Sequence, residues 1–124
     1  MSMKNLISIV EIPTIEFPRA VTFYQAILST SIEEINMDGI LMGLFPSDGE
    51  TVSVALINSS QYKTSMDGSV VYFNAGNDLQ IVLDKIKANG GKIIIPKTEI
   101  SPEMGFYAMF KDTEGNKLGL HSKN

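Results

Sequence analysis

Cysteine is absent from this chain, and its absence excludes disulfides, thiolate catalysis and the common structural zinc sites together. Cations are scarce: ten Lys and Arg against fourteen Asp and Glu leave a formal charge of −4, and Arg19 is the sole arginine. No basic stripe with interleaved aromatics exists, which argues against a nucleic-acid partner. No apolar run approaches the roughly 18 residues that a membrane span needs. The start, Met1-Ser-Met-Lys4, has no apolar signal-peptide core, so a cytoplasmic protein with no membrane partner is expected. G-x-S-x-G, G-x-G-x-x-G and phosphate-loop motifs are all missing. Seven methionines are scattered without a cluster, so gap filling in the core, rather than metal or redox work, is their expected use.

What is present is an ordinary globular balance, 44% hydrophobic and 19% charged over 124 residues, enough for one domain spanning 1–124 with a two-layer core. The organising stretch runs from Ile7 to Leu28. Ile7, Ile9, Glu11 and Pro13 fall on one face of a strand and Ser8, Val10 and Ile12 on the other. Pro18 suits a first helical position, and Phe17, Ala20, Val21, Tyr24, Ile27 and Leu28 then recur at helical spacing. Three strands follow: Ile32–Asn36, Ile40–Phe45 and Thr51–Ile57. Asp38-Gly39 is a primed-turn hairpin signal between the first two.

The plan then repeats. Residues 58–67 read as a linker, and Ser69–Gly90 supplies a second strand and helix, with Val70, Tyr72 and Asn74 alternating and Leu79, Val82, Leu83 and Ile86 forming the stripe. Asn77 and Gln80 have capping-box spacing, and Asn89-Gly90-Gly91 is a stop. Strands at Lys92–Pro96, Gly105–Phe110 and Lys117–Ser122 complete the second half. A loop at 97–104 and a hairpin turn at 112–116 join them. The reading is therefore α+β: two tandem βαβββ modules, about 5–58 and 68–122, forming a curled, cup-like mixed sheet with the helices outside. Two concave faces are left to meet each other, or those of a second chain, and a ligand site inside the cup is expected.

Three local pieces add a resemblance: Val10-Glu-Ile-Pro with Glu16-Phe-Pro-Arg-Ala-Val-Thr-Phe-Tyr24, then Lys87-Ala-Asn-Gly-Gly-Lys92, and Asp112-Thr-Glu-Gly-Asn-Lys-Leu-Gly-Leu120. With the element order, they resemble the vicinal oxygen chelate superfamily of lactoylglutathione lyase, the extradiol dioxygenases and the bleomycin-resistance proteins. In its metal-dependent members the resemblance implies His or Glu ligands on the first, fourth, fifth and eighth strands. Those positions align with Ile9, Ala55, Ser69 and Gly119 here, none an ordinary ligand for a divalent cation. No metal and no cofactor are expected, and the four positions become ligand-contacting ones instead.

The polar points left in the cup are few. By alternation Glu11 shares a face with Ile9, and His121 with Gly119. If their strands approach, the two form a carboxylate–imidazole pair, a general base or a polar anchor. The competing reading is a solvated strand end and a backbone-bound carboxylate. Of Tyr72, Phe73, Phe106 and Tyr107, one of each pair faces the cup and one the helix layer, and Phe73 is taken as a ligand contact. Ser101–Met104 is a lid or a plain connector. Asp112, Glu114 and Asn116 resemble the start of a calcium loop but lack its glycine position and distal glutamate, so they read as a turn. Two functions remain open: a metal-free module that binds a small molecule, and a glyoxalase-related lyase or isomerase using Glu11 and His121 as acid and base. The first asks less of the residues. A homodimer is expected for either.

Overall fold

The structure is a computed structural model and describes residues 6–124, so the expectations resting on Met1–Lys4 and on residue 5 lie outside the described residues. In chain order the elements are β1 (Ile9–Pro13), α1 (Phe17–Leu28), β2 (Glu33–Met37), β3 (Ile40–Leu44), β4 (Ser53–Asn58), β5 (Tyr72–Asn74), α2 (Leu79–Ala88), β6 (Lys92–Ser101), β7 (Gly105–Lys111) and β8 (Lys117–Ser122). They form two four-stranded mixed sheets, ordered β1-β4-β3-β2 and β5-β8-β7-β6, each with one parallel pair, β1 with β4 and β5 with β8. The βαβββ unit is thus built twice.

Local chemistry explains most of the boundaries. Asp38 and Gly39 both have positive φ, 53° and 90°, as the tight hairpin between Met37 and Ile40 requires. Gly90, at φ 97°, ends α2: the Gly91 amide donates to the Ile86 carbonyl and the Gly90 amide to Lys87, closing a left-handed cap. Helix α1 begins at Phe17, so Pro18 is its second residue, where a missing N–H also costs nothing.

Three expectations are corrected. The cap of α2 is Asp78, not Asn77: its carboxylate accepts the Gln80 amide, while Ser122 Oγ takes the Leu79 amide and Gln80 turns its side chain to Asp84. Strand β5 is confined to Tyr72–Asn74, leaving Ser69 and Val70 ahead of it. Strand β6 does not stop at Pro96 but continues to Ser101, because register shifts between Ile93 and Ile95 and between Ile95 and Thr98 put the missing proline N–H where the ladder is already broken. The span 97–104 is therefore mostly strand, closed by a short hairpin in which the Met104 amide donates to Ser101 Oγ.

Both helices cover one face of their sheets and pack against each other, so the two modules share a single core. Tyr24 of α1 packs against both Phe45, just after β3, and Phe73 of β5, with ring centroids 5.8 Å away in each case, and the two phenylalanines stack on each other at 6.2 Å. Phe23 lies against Phe110 of β7. Glycine at 91 is needed for this approach, since a Cβ there would stand 2.9 Å from the Phe23 ring and 2.7 Å from Ile86.

A polar interlock fixes the junction. The turn after β7 delivers Asp112, Glu114 and Asn116 into the interior, all at most 6% exposed. Glu114 Oε1 accepts the Ile15 and Glu16 amides at 2.8 and 2.6 Å, capping α1 from nearly a hundred residues away. Its Oε2 accepts Arg19 Nε and Thr113 Oγ1, each at 2.7 Å. Tyr24 donates its hydroxyl to Asp112 Oδ2 at 2.7 Å, and Asn116 Nδ2 donates to the Pro13 carbonyl at 2.8 Å. These side chains bind one another and the backbone, as the turn reading of this segment requires.

Candidate functional site

Because the helix-covered faces meet in the core, the opposite, open faces of the two sheets are left to line a site. Pairing of Glu11 with Ala55 and of Ala55 with Leu44 fixes which residues share the open face of the first sheet. That face carries Ile9, Glu11, Ala55, Ile57, Met42 and Leu44. Ile9 is 67% exposed although apolar, and Met37 at the hairpin end is 56% exposed. Around Ile9, Ala55, Met42 and Leu44 opens a hollow of about 660 Å³, with Phe45 and Val54 in its wall and Glu33, Ser47 and Ser53 as polar points.

The open face of the second sheet is aromatic and polar. It carries Tyr72, Asn74, Tyr107, Met109, Gly119 and His121, following the pairings of Tyr72 with Gly119 and of Tyr107 with His121. Tyr72 lies across Gly119 so closely that a Cβ at 119 would collide with its ring, and it meets Tyr107 edge-on at 6.5 Å. Beside them is a second hollow of about 590 Å³, lined by Tyr72, Asn74, Asn77, His121 and Lys123.

The residues singled out from the sequence fall into separate places. Ile9 and Ala55 are brought together in the first hollow. Ser69 joins Glu11 in a smaller cleft of about 150 Å³ between the modules, near Lys63 and Asn116. Gly119 lies beneath Tyr72. Phe73, taken as a ligand contact, instead packs into the core against Tyr24 and Phe45, because alternation in β5 turns Tyr72, not Phe73, to the open face. Glu11 and His121 do not meet within one chain: β1 lies along β4, and β8 between β5 and β7. Glu11 Oε1 accepts the Tyr62 hydroxyl at 2.9 Å, a bond that, with the carboxylate charge, raises the Tyr62 pKa. His121 Nε2 is 2.6 Å from the Met104 carbonyl, which can only accept, so Nε2 carries the proton.

Sequence reasoning missed Tyr62, Glu33 and the position of Tyr72. Only Tyr72 had a signal: a glycine at the inward position of β8, opposite a strand with an aromatic pair. The methionines also depart from expectation. Among the described residues none is in the buried core; Met37, Met42, Met104 and Met109 lie on or at the rim of the open faces, and Met66 is in the linker. A flexible thioether suits an adaptable contact surface as well as a core gap.

The donor set does not fit a divalent metal at the four aligned positions. Ile9, Ala55 and Gly119 have no donor atom, Ser69 offers a neutral hydroxyl, and the Tyr72 ring fills the space above Gly119. Among the described residues no three His, Asp or Glu side chains converge on one point.

Comparison with known proteins agrees with the duplicated fold. A glyoxylase-like domain-containing protein from Didymella fabae is 29% identical over 126 residues, covering 94% of this chain and 92% of its own length. Glyoxalase I from Zea mays superposes with a TM-score of 0.74 at 16% identity over 98% of this chain, which spans 48%, about half, of the maize protein. The fosfomycin resistance protein FosX from Listeria monocytogenes gives 0.72 at 14% identity, covering 99% of this chain and 96% of its own. A variant of FosX has been crystallised with Mn(II) and 1S,2S-dihydroxypropylphosphonic acid. The family model matches residues 6–120, and the chain belongs to the Glyoxalase/Bleomycin resistance protein/Dioxygenase superfamily.

Proposed function

We propose that this chain binds a small molecule without a metal, in a cup made from the first-module face of one copy and the second-module face of another. One observation carries the reading: the helix-covered faces share one core inside the chain, leaving the other face of each sheet uncovered, one of them apolar and exposed at Ile9 and Met37. Exposed apolar sheet faces of this kind mark a surface that something covers. The substitutions at the four aligned positions support binding without a Lewis acid, since apolar walls shelter a ligand but cannot hold a cation. The maize and Listeria proteins lend the general idea of a small-molecule site, at identities that speak for the fold alone.

Three measurements test this. Sedimentation is expected to give a dimer that Ile9→Lys splits, a lysine at that position placing a charge in the buried seam. Elemental analysis after incubation with nickel, zinc and iron salts is expected to find no stoichiometric metal. Thermal-shift screening of metabolites is expected to find a ligand whose stabilisation survives chelator. A monomer at all concentrations, or one equivalent of tightly held metal, overturns the proposal.

An acid–base enzyme is the second reading, favoured by the placement of Glu11 and His121 on open faces that a second copy would bring together. In that reading Glu11, holding the Tyr62 hydroxyl, and His121, held by Met104, would serve proton abstraction beside a carbonyl. Glu11→Gln and His121→Ala abolish any turnover if it is correct and leave ligand affinity as the only change if it is not.

A further inference from the structure

The second-module face has a geometry that selects among ligands. Tyr72 lies over the bare backbone of Gly119 yet is 45% exposed, so one side of its ring rests on the strand and the other is open to solvent. Tyr107 stands against it at 61° between ring planes, making a corner of one aromatic floor and one aromatic wall. His121, the ladder partner of Tyr107, borders the hollow that Tyr72 lines, and in the neutral ring, with Nε2 donating to the Met104 carbonyl, its Nδ1 is left an acceptor. Among the described residues that nitrogen has no hydrogen-bond partner, and Lys123 at the rim of the hollow has no carboxylate partner.

We infer that this corner holds a planar aromatic ligand bearing a hydroxyl, its ring stacked on Tyr72 against Tyr107 and its hydroxyl donating to His121 Nδ1. The chemistry is specific to each part. A flat ring gains from an open aromatic face what a puckered ring of the same size does not. A hydroxyl satisfies an imidazole acceptor that an ether leaves unpaired, and the Lys123 ammonium favours an acidic hydroxyl over an aliphatic one. Glycine at 119 is the enabling residue, because any side chain there would lift Tyr72 off the strand and close the corner.

The inference rests on the second-module face being a ligand wall, and it is tested apart from the two-copy cup. Calorimetric titration would use 2-naphthol, its saturated counterpart 2-decalol and its ether 2-methoxynaphthalene as probes. Expected is at least about fivefold tighter binding of 2-naphthol than of 2-decalol, the size of aromatic preference that ring contacts supply. Tyr72→Leu keeps apolar area but removes the ring face, so it is expected to weaken 2-naphthol roughly two- to tenfold and leave 2-decalol unchanged, while Tyr72→Phe stays within about twofold. His121→Leu is expected to erase the preference for 2-naphthol over its ether. Tyr72 is partly exposed, so these variants should fold, which circular dichroism is to check; Gly119→Ala supplies a second perturbation, expected to reproduce the Tyr72→Leu loss without touching the ring itself. Equal affinity for 2-naphthol and 2-decalol, or a folded Tyr72→Leu that binds 2-naphthol as the parent does, overturns the inference. A monomer that binds 2-naphthol through Tyr72 upholds it and overturns the shared cup. A dimer with no Tyr72-dependent preference overturns it and leaves the cup standing.

Discussion

Glu114→Gln is the sharpest probe of how the two modules are joined. The carboxylate is buried and accepts four donors: two backbone amides before α1 on one oxygen, and Arg19 Nε with Thr113 Oγ1 on the other. Glutamine keeps the shape but turns one oxygen into an NH₂ group: with its carbonyl kept on the Ile15 and Glu16 amides, the NH₂ can donate to the Thr113 hydroxyl, which accepts as well as donates, but meets Arg19 Nε donor to donor. The charge-assisted bond from Arg19 is lost and the two backbone amides keep a neutral acceptor in place of a charged one, so a loss of about 3 kcal/mol, the upper end for a hydrogen bond to a charged group, is expected. For a domain of 124 residues the melting temperature moves about 4 °C per kcal/mol, which makes the fall about 12 °C by calorimetry. The same residue gives a pH signature. Burial pushes its pKa up, but Arg19, the Glu16 amide, Thr113 and the Ile15 amide outweigh burial and hold it below the usual glutamate value. A carboxyl with a lower pKa folded than unfolded contributes stability above its unfolded value and loses it as pH falls through the folded one. Glutamine cannot titrate, so the gap between parent and variant is widest near pH 7 and narrows below about pH 4. A variant melting within about 2 °C of the parent at neutral pH, well under the expected shift, or a gap that does not narrow in acid, would refute the interlock.

Three further substitutions separate neighbouring explanations. Asp78→Ala removes the cap of α2 and the ion pair with Lys97 at 2.8 Å, and should cost about 1 kcal/mol in denaturant titration, whereas Asn77→Ala should leave stability unchanged. Tyr24→Phe removes the buried hydroxyl donated to Asp112 and should cost roughly 1–2 kcal/mol with no change in secondary structure by circular dichroism. In the parent, burial and the Asp112 charge hold the Tyr24 hydroxyl well above the ordinary tyrosine pKa, so in an alkaline absorbance titration it should ionise only as the protein unfolds.

Periodicity made the elements legible, because a buried stripe such as Phe17, Ala20, Tyr24 and Ile27 has only one regular structure that gathers it. It was silent on direction. Alternation assigned Tyr72 and Phe73 to opposite faces, yet which face met the helices depended on Leu118 and Leu120 of a strand more than forty residues on. The caps and strand ends failed for a related reason. Asn77 and Asp78 are equally suited to a cap, and the choice fell to Asp78 because Ser122, brought in by β8, already serves the Leu79 amide. Pro96 reads as a strand stop on its own, but the bulges of β6 exist only against β7. Each miss lies where a partner distant in sequence decides between two locally equivalent options.

The same distinction explains why the family was readable and the ligand was not. The motifs that carried the resemblance, the Tyr24 helix and the Asp112–Asn116 turn, are the two halves of one interlock: Tyr24 with Asp112, the start of α1 with Glu114, Pro13 with Asn116. Each residue there has a fixed partner in the interior, so a change in one leaves another buried and unsatisfied. The open faces obey no such rule. Ile9, 67% exposed on its open face, has no such partner and can exchange a donor for an apolar group without disturbing the fold, while Gly119 is constrained by the Tyr72 ring that lies over it. The interlock binds the first helix to the last hairpin and so holds the two modules on one shared core. The residues that identify the family are therefore those that hold the two modules on one core, not those on the faces the helices leave uncovered.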